Sequence, residues 1–400
     1  MAGDAVAIVA LPFVLIEAGY GAASLGLVMT TVTASRLIGS LIAGPIADRV
    51  RRDRLMAMSD LARAGCEIGA FIVFVTHTHI LPLVLVLYGC FGLFAAFFVP
   101  AANGMLAEIV ESSHKQAANA YLAIVDNFSS TAGPALTGLV FLFVSVNYGV
   151  LTDAATFVLS GLLVLRLRLP RRQRGSRTGS PSLFREVVAG IRVVSQTVWL
   201  RDGMLLNSAI NALGFAPFLI LMPYVSRSSS GESSVWGVLF GAYGIGALIG
   251  SMLAVRLHPR RPLVSILGCC VVSWVLVFAL SPTMSSNPWL LVLPVGMAGA
   301  CTAVRGIVWD TTLQSGIPQT MIGRISSLDF LTSSVVIPLG YSAFGALGES
   351  LGPSRALLAS GISLFVIGGV ICGKGGIAKP AASLIVIPRS EQASASTRAR

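Results

Sequence analysis

Residues 44–54 read Gly-Pro-Ile-Ala-Asp-Arg-Val-Arg-Arg-Asp-Arg, and they lie between two long apolar segments. Arginine clusters of this kind mark the cytoplasmic loops of membrane proteins. The stretch therefore predicts a tight cytoplasmic loop of about six to ten residues between two membrane helices. We expect Gly44 to let two helices approach closely, and Asp48 to place a carboxylate at the membrane boundary beside the arginines.

Composition also places the chain among membrane proteins. Of its 400 residues, 54% are apolar and only 11% are charged, whereas a soluble domain carries about 25% charged residues. The net charge of +11 could indicate nucleic-acid binding, but the basic residues form short clusters between apolar runs, without interleaved aromatic residues. We therefore expect no nucleic-acid partner. The six cysteines all lie in apolar runs, which indicates buried thiols rather than disulfides.

A membrane helix needs about 20 apolar residues, and this length predicts twelve spans. They lie at roughly 2–17, 24–46, 55–76, 80–103, 118–144, 148–168, 200–223, 236–257, 263–281, 288–310, 325–347 and 355–373. Span 1 is short and contains Asp4. It is either an abbreviated helix or a sign that the recorded start is internal to the real gene, and we favour the second explanation. The small-residue cleavage site of a signal peptide is missing.

The basic residues also orient the spans. With both termini in the cytoplasm, only Arg227 and Arg355 fall on the outer side, as the positive-inside rule requires. The sequence thus predicts an all-α, multi-pass protein of the plasma (inner) membrane. Its expected parts are a six-helix half, a basic cytoplasmic linker with an amphipathic surface segment, a second six-helix half and a disordered cytoplasmic tail, at residues 1–168, 169–199, 200–375 and 376–400.

Two motifs resemble the major facilitator superfamily of secondary transporters. The pattern Gly-x-x-x-Asp-Arg-x-x-Arg that begins at Gly44 resembles the family's signature between helices 2 and 3, although Arg51 stands where a glycine is usual. In span 5, Gly133, Pro134 and Gly138 resemble the helix-5 motif of the antiporter branch, in which glycines pack against a proline kink. The alternative is a kink that has no bearing on the direction of transport.

Further motifs resemble the proton-coupled exporters related to macrolide-efflux and enterobactin-export proteins. These motifs end span 4, open span 5 and follow span 10, as Phe98-Val-Pro-Ala, Gln116-Ala-Ala-Asn and Gln314-Ser-Gly-Ile-Pro. The resemblance covers nearly the whole chain but does not identify the cargo.

The resemblance implies a protein that exports a small, lipophilic compound, such as a drug, secondary metabolite or siderophore, in exchange for protons by alternating access. We expect a monomer in the lipid bilayer, with no cofactor, no metal and no enzymatic activity. The loop residues Gly44, Asp48, Arg49 and Arg52 would hold one conformation through contacts between the halves. The alternatives are a proton-coupled importer, or a receptor or assembly protein that keeps the fold without transporting.

Charged residues inside the bilayer cost several kcal/mol and are therefore functional candidates. The candidates for proton coupling are Asp126, Asp4, Arg36 and Asp310. Asp126 is the main one, because it is acidic, deep in span 5 and shortly before the proline kink. The alternative is a fixed Asp–Arg pair that holds helices together.

The substrate candidates lie on spans that line the cavity in this family. Asn207 and Asn211 form a polar stripe one helical turn apart on span 7. Arg305 on span 10 either contacts an anionic or polar substrate or snorkels to the membrane interface, and we favour snorkelling. Phe94 on span 4 either faces a lipophilic cargo or faces lipid.

Overall fold

The computed structural model describes residues 2–76, 80–110, 114, 147–166, 191–230, 233–254, 256, 262–285, 287–318 and 321–374, and every regular element in these ranges is helical. The first half contributes α1 to α5: Ala2–Glu17, Ala22–Arg49, Arg52–Val75, Leu81–Ile109 and Asn147–Arg166. The second half contributes α6 to α12: Val198–Ile210, Ala216–Ser230, Ser233–Ala254, Pro262–Leu280, Val292–Gly316, Ile322–Leu351 and Pro353–Gly373.

The helices confirm the all-α membrane fold. In the described ranges, nine helical stretches are long and apolar enough to cross a membrane. Helices α1 to α4 correspond to predicted spans 1 to 4, and α5 to span 6. Helices α6 and α7 together form span 7, and α8 to α12 match spans 8 to 12. Predicted span 5, the first part of the linker and the tail lie outside the described residues.

The basic hairpin is tighter than expected. Helix α2 continues to Arg49 and α3 begins at Arg52, so only Val50 and Arg51 join them. The expectation of a loop of six to ten residues is therefore wrong. The helix does not need to stop where the apolar run ends, because residues with polar side chains can continue the helical backbone beyond the hydrocarbon. Arg49 also lies in the last turn of α2, where a cation stabilises the helix dipole.

Within each half, small residues let the helices pack closely. In the first half α2 packs on α4, while α3 packs on α4 and α5; in the second, α8 and α9 both pack on α10. A side chain added at Gly92 would collide with the Val32 carbonyl, and one at Gly246 with the Gly296 carbonyl. Close backbone approach at glycine is how membrane helices gain packing energy without a hydrophobic effect between them.

The two halves meet where α2 packs against α11. An added side chain at Gly26 would collide with the Tyr341 carbonyl, so only glycine allows this approach. Nearby, the Thr30 hydroxyl donates to the Pro338 carbonyl at 2.9 Å and lies 2.7 Å from the Ser342 hydroxyl. These contacts involve the first residues of α2 and the last part of α11, at the end of the bundle opposite the basic hairpin.

Candidate functional site

A buried arginine defines the candidate site in the second half. Arg305 projects from α10 and is only 9% exposed. Its guanidinium donates to the side-chain oxygens of Asn207 and, at 3.2 Å, of Asn211. Its Nε is buried and has no hydrogen-bond partner among the described residues. The preferred snorkelling interpretation is therefore wrong, because the guanidinium is buried and donates to two amides across the helix interface.

The local shape of the helix that carries the asparagines explains how both reach Arg305. Helix α6 ends at Ile210, and Asn211–Phe215 form a π-helical turn before α7 begins. Such turns are rare and frequently occur at functional sites. Asn207 and Asn211 are four residues apart and therefore lie on one face. Gly214, on the same turn, abuts the ring of Trp274, which fixes the turn against α9.

Helix α11 extends this polar site by one helical turn. The Asn207 amide donates to the Ser333 hydroxyl at 3.2 Å, and the indole of Trp309 donates to the Asp329 carboxylate at 3.0 Å. Arg305 and Trp309 are four residues apart on α10, as Asp329 and Ser333 are on α11, so each pair shares one helix face. The result is a polar patch on the facing sides of α6, α10 and α11, which we call the Arg305–Asp329 site.

Sequence reasoning missed Asp329, Ser333 and Trp309. Asp329 falls near the start of predicted span 11, where an acidic residue resembles an ordinary boundary charge. The structure begins α11 at Ile322, which puts Asp329 two turns inside the helix, and no sequence pattern indicated this. Asp310, the predicted candidate on α10, is next to Trp309 in sequence and exposed on another face.

The proton candidates of the first half are less completely placed. Asp4 lies in α1, and Arg36 is an exposed side chain of α2. Asp126 lies outside the described residues. The kink residues of span 5 lie outside them as well, namely Gly133, Pro134 and Gly138. No role predicted for these residues is tested by the structure.

The basic hairpin differs in detail from the expectation. Among the described residues, a side chain added at Gly44 would meet nothing within 4 Å, so these residues do not include the close helix contact predicted at this glycine. The physical reason is that the halves meet at the opposite end of the bundle. Arg52 donates to the Gly104 carbonyl on α4 and so ties the hairpin to its own half. Arg49 is exposed, and Asp48 lies in the last turn of α2.

Phe94 has a packing role in the structure. It is partly buried on α4 and packs against a small apolar cluster that includes Ala43, Phe97 and Ala101. The carbonyl of Phe94 also accepts a hydrogen bond from Ser59 on α3 at 2.7 Å. The side chain therefore helps to join α2, α3 and α4.

A second buried charged cluster lies between α3 and α5, and sequence reasoning did not identify it as a unit. It contains three acidic residues and one arginine that are at most 6% exposed: Asp60, Glu67, Asp153 and Arg63. The Arg63 guanidinium lies 3.8 Å from Asp60 and 3.8 Å above the ring of Phe157. The Ser160 hydroxyl donates to Asp60 at 2.6 Å. Such cation–π and charge-assisted contacts join α3 to α5 within one half.

Comparisons with known proteins agree with this architecture. Residues 1–341 match the Major Facilitator Superfamily. The chain is 27% identical over 354 residues to the enterobactin exporter EntS of Shigella flexneri, which covers 86% of this chain and 81% of that protein.

Solved structures share the fold at low sequence identity. The nucleoside transporter NupG superposes with a TM-score of 0.73 at 12% identity, over 93% of this chain and 95% of that one. A bacterial homologue of the iron transporter ferroportin, in an inward-facing state, gives a TM-score of 0.65 at 15% identity, again over 93% and 95%. This multi-pass membrane protein is a transporter rather than an enzyme, and it belongs to the Major Facilitator Superfamily.

Proposed function

We propose that this transporter exports a small, largely apolar compound through the inner membrane in exchange for protons. The observation that carries the proposal is the buried Arg305, which two neutral amides hold between helices instead of a carboxylate. A buried guanidinium costs several kcal/mol to desolvate, and an arrangement that keeps it cationic is suited to an oxygen-bearing cargo. The similarity to an enterobactin exporter over most of the chain supports export.

Alternating access would use the interface between α2 and α11. The close contacts at Gly26 and Thr30 seal the end opposite the basic hairpin. Toward the hairpin end of α2, a side chain added at Gly44 would meet no described atom within 4 Å, which supports a conformation open at that end. Rocking of one half against the other would separate the sealed end and close the hairpin end.

The cargo that fits the site combines apolar surface with oxygen acceptors. Arg305 can bind a carboxylate, phenolate or carbonyl oxygen by charge-assisted hydrogen bonds. Phe215, on the π-helical turn, is only partly buried and packs against the buried ring of Tyr243, so it can supply apolar surface. Enterobactin is therefore a reasonable first probe, together with a naphthalenesulfonate anion and the ethidium cation for comparison.

The first prediction concerns coupling to protons. In inverted membrane vesicles with an acidic lumen, a transported probe should release lumenal protons, which an acid-quenched dye reports as a recovery of fluorescence. Vesicles without the protein should give no recovery. If the probe moves and the lumen acidifies further, the protein is a proton-coupled importer. If no oxygen-bearing probe moves under any gradient, export of this class of compound is refuted.

The second prediction concerns orientation, because the basic hairpin and linker predict a cytoplasmic location. In a cysteine-free background, Arg52→Cys and Arg174→Cys should resist an impermeant thiol reagent in intact cells and react in inverted vesicles. Arg355→Cys, at the start of α12, is the matched control and should react in intact cells. Labelling of Arg174→Cys from outside would reverse the proposed topology.

The remaining roles stay proposals of the same mechanism. The hairpin with Asp48 would act as the conformational switch, and Asp126 would carry a proton through the first half. The protein would act as a monomer, since each chain contains both halves that the mechanism requires.

A further inference from the structure

We propose that Asp329 is a proton-binding site, and that a hydrogen-bond donor on the cargo exchanges with its proton at Oδ1. The inference rests on the proposed function for its role in transport, but the presence of the proton is a separate claim. It names a coupling residue in the second half and adds a chemical requirement to the cargo: a hydroxyl or amino group close to the oxygen that Arg305 binds.

The two oxygens of Asp329 have different surroundings. Oδ2 accepts the Trp309 indole N–H at 3.0 Å. Oδ1 is buried and has no hydrogen-bond partner among the described residues. An ionised carboxylate normally accepts hydrogen bonds at both oxygens when it is removed from water, because an unsatisfied buried charge costs several kcal/mol. A proton on Oδ1 removes the charge, and the neutral acid costs less to bury than the carboxylate.

The neighbouring charges leave Asp329 free to change its protonation state. Among the described side chains, two charged ones act on it electrostatically, Asp310 and Arg305, both from α10. Asp310 favours the neutral acid and Arg305 favours the carboxylate. The amides of Asn207 and Asn211 occupy the guanidinium of Arg305, so it forms no direct ion pair with Asp329 in the described structure that would fix the carboxylate as ionised.

On α6 the charged residues Arg201 and Asp202 pair with each other at 2.9 Å, and the contacts of this helix with the site are neutral. Helix α6 contributes Asn207, which contacts Ser333, and Gly203, which abuts the ring of Trp309. The contacts of α2 and α7 with α11 that involve glycine lie farther along the helix, at Gly340 to Gly348. The charge balance at Asp329 is therefore set mainly by α10.

The sign of the coupling determines which cargo group can act. An anion bound at Arg305 would cancel part of the positive charge and raise the proton affinity of Asp329, so an anion alone would bind together with a proton. Exchange needs a group that replaces the proton. A cargo O–H or N–H that donates to Oδ1 stabilises the carboxylate, and the proton of the acid leaves to solvent. One proton is released for each cargo molecule whose donor occupies Oδ1, as antiport requires.

The third prediction tests the proton directly, without a known substrate. Infrared difference spectra of the purified full-length protein between acid and alkaline pH should contain a protonated carboxyl C=O band that is missing in Asp329→Asn. Asp53→Asn is the matched control, because Asp53 is paired with Arg51 at 2.5 Å; its spectrum should keep the band. Identical spectra for the wild type and Asp329→Asn would refute the proton site.

A second measurement covers the case in which Asp329→Asn does not fold. Trp309→Phe keeps the carboxyl group and removes its donor, so the C=O band should persist at a shifted frequency. The wild-type indole fluorescence should change over the same pH range as the band, and this change should be lost in Trp309→Phe. An unshifted band in Trp309→Phe would contradict the arrangement.

Transport separates the two proposals. With a probe that carries an O–H or N–H donor and moves in the vesicle assay, Asp329→Asn should lose pH-driven accumulation and retain downhill exchange. Unchanged pH-driven accumulation in this variant would refute the coupling role while the export proposal stands. If the infrared band titrates but no probe moves, the proton site stands and the export proposal fails.

Discussion

A disulfide between Thr30→Cys and Ser342→Cys should stop transport almost completely, and a reductant should restore it. The two hydroxyl oxygens are 2.7 Å apart. Cysteine sulfur atoms at these positions would therefore lie close to the disulfide bond length of about 2.0 Å. Thr30 is on α2 of the first half and Ser342 is on α11 of the second. The bond would hold the sealed end closed, so the protein could not reach the opposite state of its cycle.

The measurement is uptake of a transported probe into inverted vesicles before and after oxidation, in a background without the six native cysteines. A matched control joins α2 to α4 within the first half through Ser35→Cys and Gly89→Cys, because a side chain at Gly89 would lie 3.6 Å from the Ser35 hydroxyl. This bond should leave transport largely intact. Transport that survives complete cross-linking of Thr30→Cys to Ser342→Cys would exclude opening at this end.

The membrane architecture could be predicted from the sequence because it depends on local properties. Apolar runs long enough to span a bilayer leave the backbone no alternative to helix, and glycines and basic clusters mark the boundaries. The loop length at Val50 and Arg51 was wrong because hydropathy locates the edge of the hydrocarbon and not the end of the helix. Arg49 and Asp48 continue α2 beyond that edge.

The site could be predicted only in part, because its properties depend on which helices face each other. Asn207, Asn211 and Arg305 were all candidates, yet hydropathy alone could not tell a snorkelling Arg305 from a buried one. Whether Arg305 is buried depends on α6 lying against α10, and on a π-helical turn at Asn211–Phe215. No residue pattern predicted this turn. Asp329 became a candidate only through its contact with Trp309.

The two buried charge clusters also differ in a way that a sequence cannot reveal. In the α3–α5 cluster, Arg63 is stacked on Phe157 and close to Asp60, so its partners are fixed within one half. At the Arg305–Asp329 site, the guanidinium and the carboxylate have separate neutral partners. Neutral partners can be replaced by a cargo without leaving an opposite charge buried and unpaired. This difference favours the second site for transport.

Arg305→Gln should reduce transport of an oxygen-bearing probe by about ten- to a hundredfold. Hydrogen bonds to a charged group contribute about 1.5–3 kcal/mol each, and about 1.4 kcal/mol corresponds to a factor of ten. Glutamine can still donate to one of the two asparagine oxygens, which limits the structural damage. Arg305→Lys keeps the charge but not the planar fork, so its transport should fall between those of the wild type and Arg305→Gln.

The measurement is the initial rate of probe uptake into inverted vesicles, normalised to the amount of folded protein in the membrane. Arg355→Gln is the control, because this arginine is exposed at the start of α12 and its loss should leave the rate unchanged. The charge of the probe gives a second test. The transport rate of a naphthalenesulfonate should fall more than that of ethidium, since only the anion is attracted by the guanidinium.

Equal losses of transport rate for both probes would mean that Arg305 holds α6 to α10 and does not contact the cargo. Full transport of the anion by a well-folded Arg305→Gln protein would remove Arg305 from the substrate site, because no other buried cation among the described side chains projects from α6, α10 or α11 toward the two asparagines.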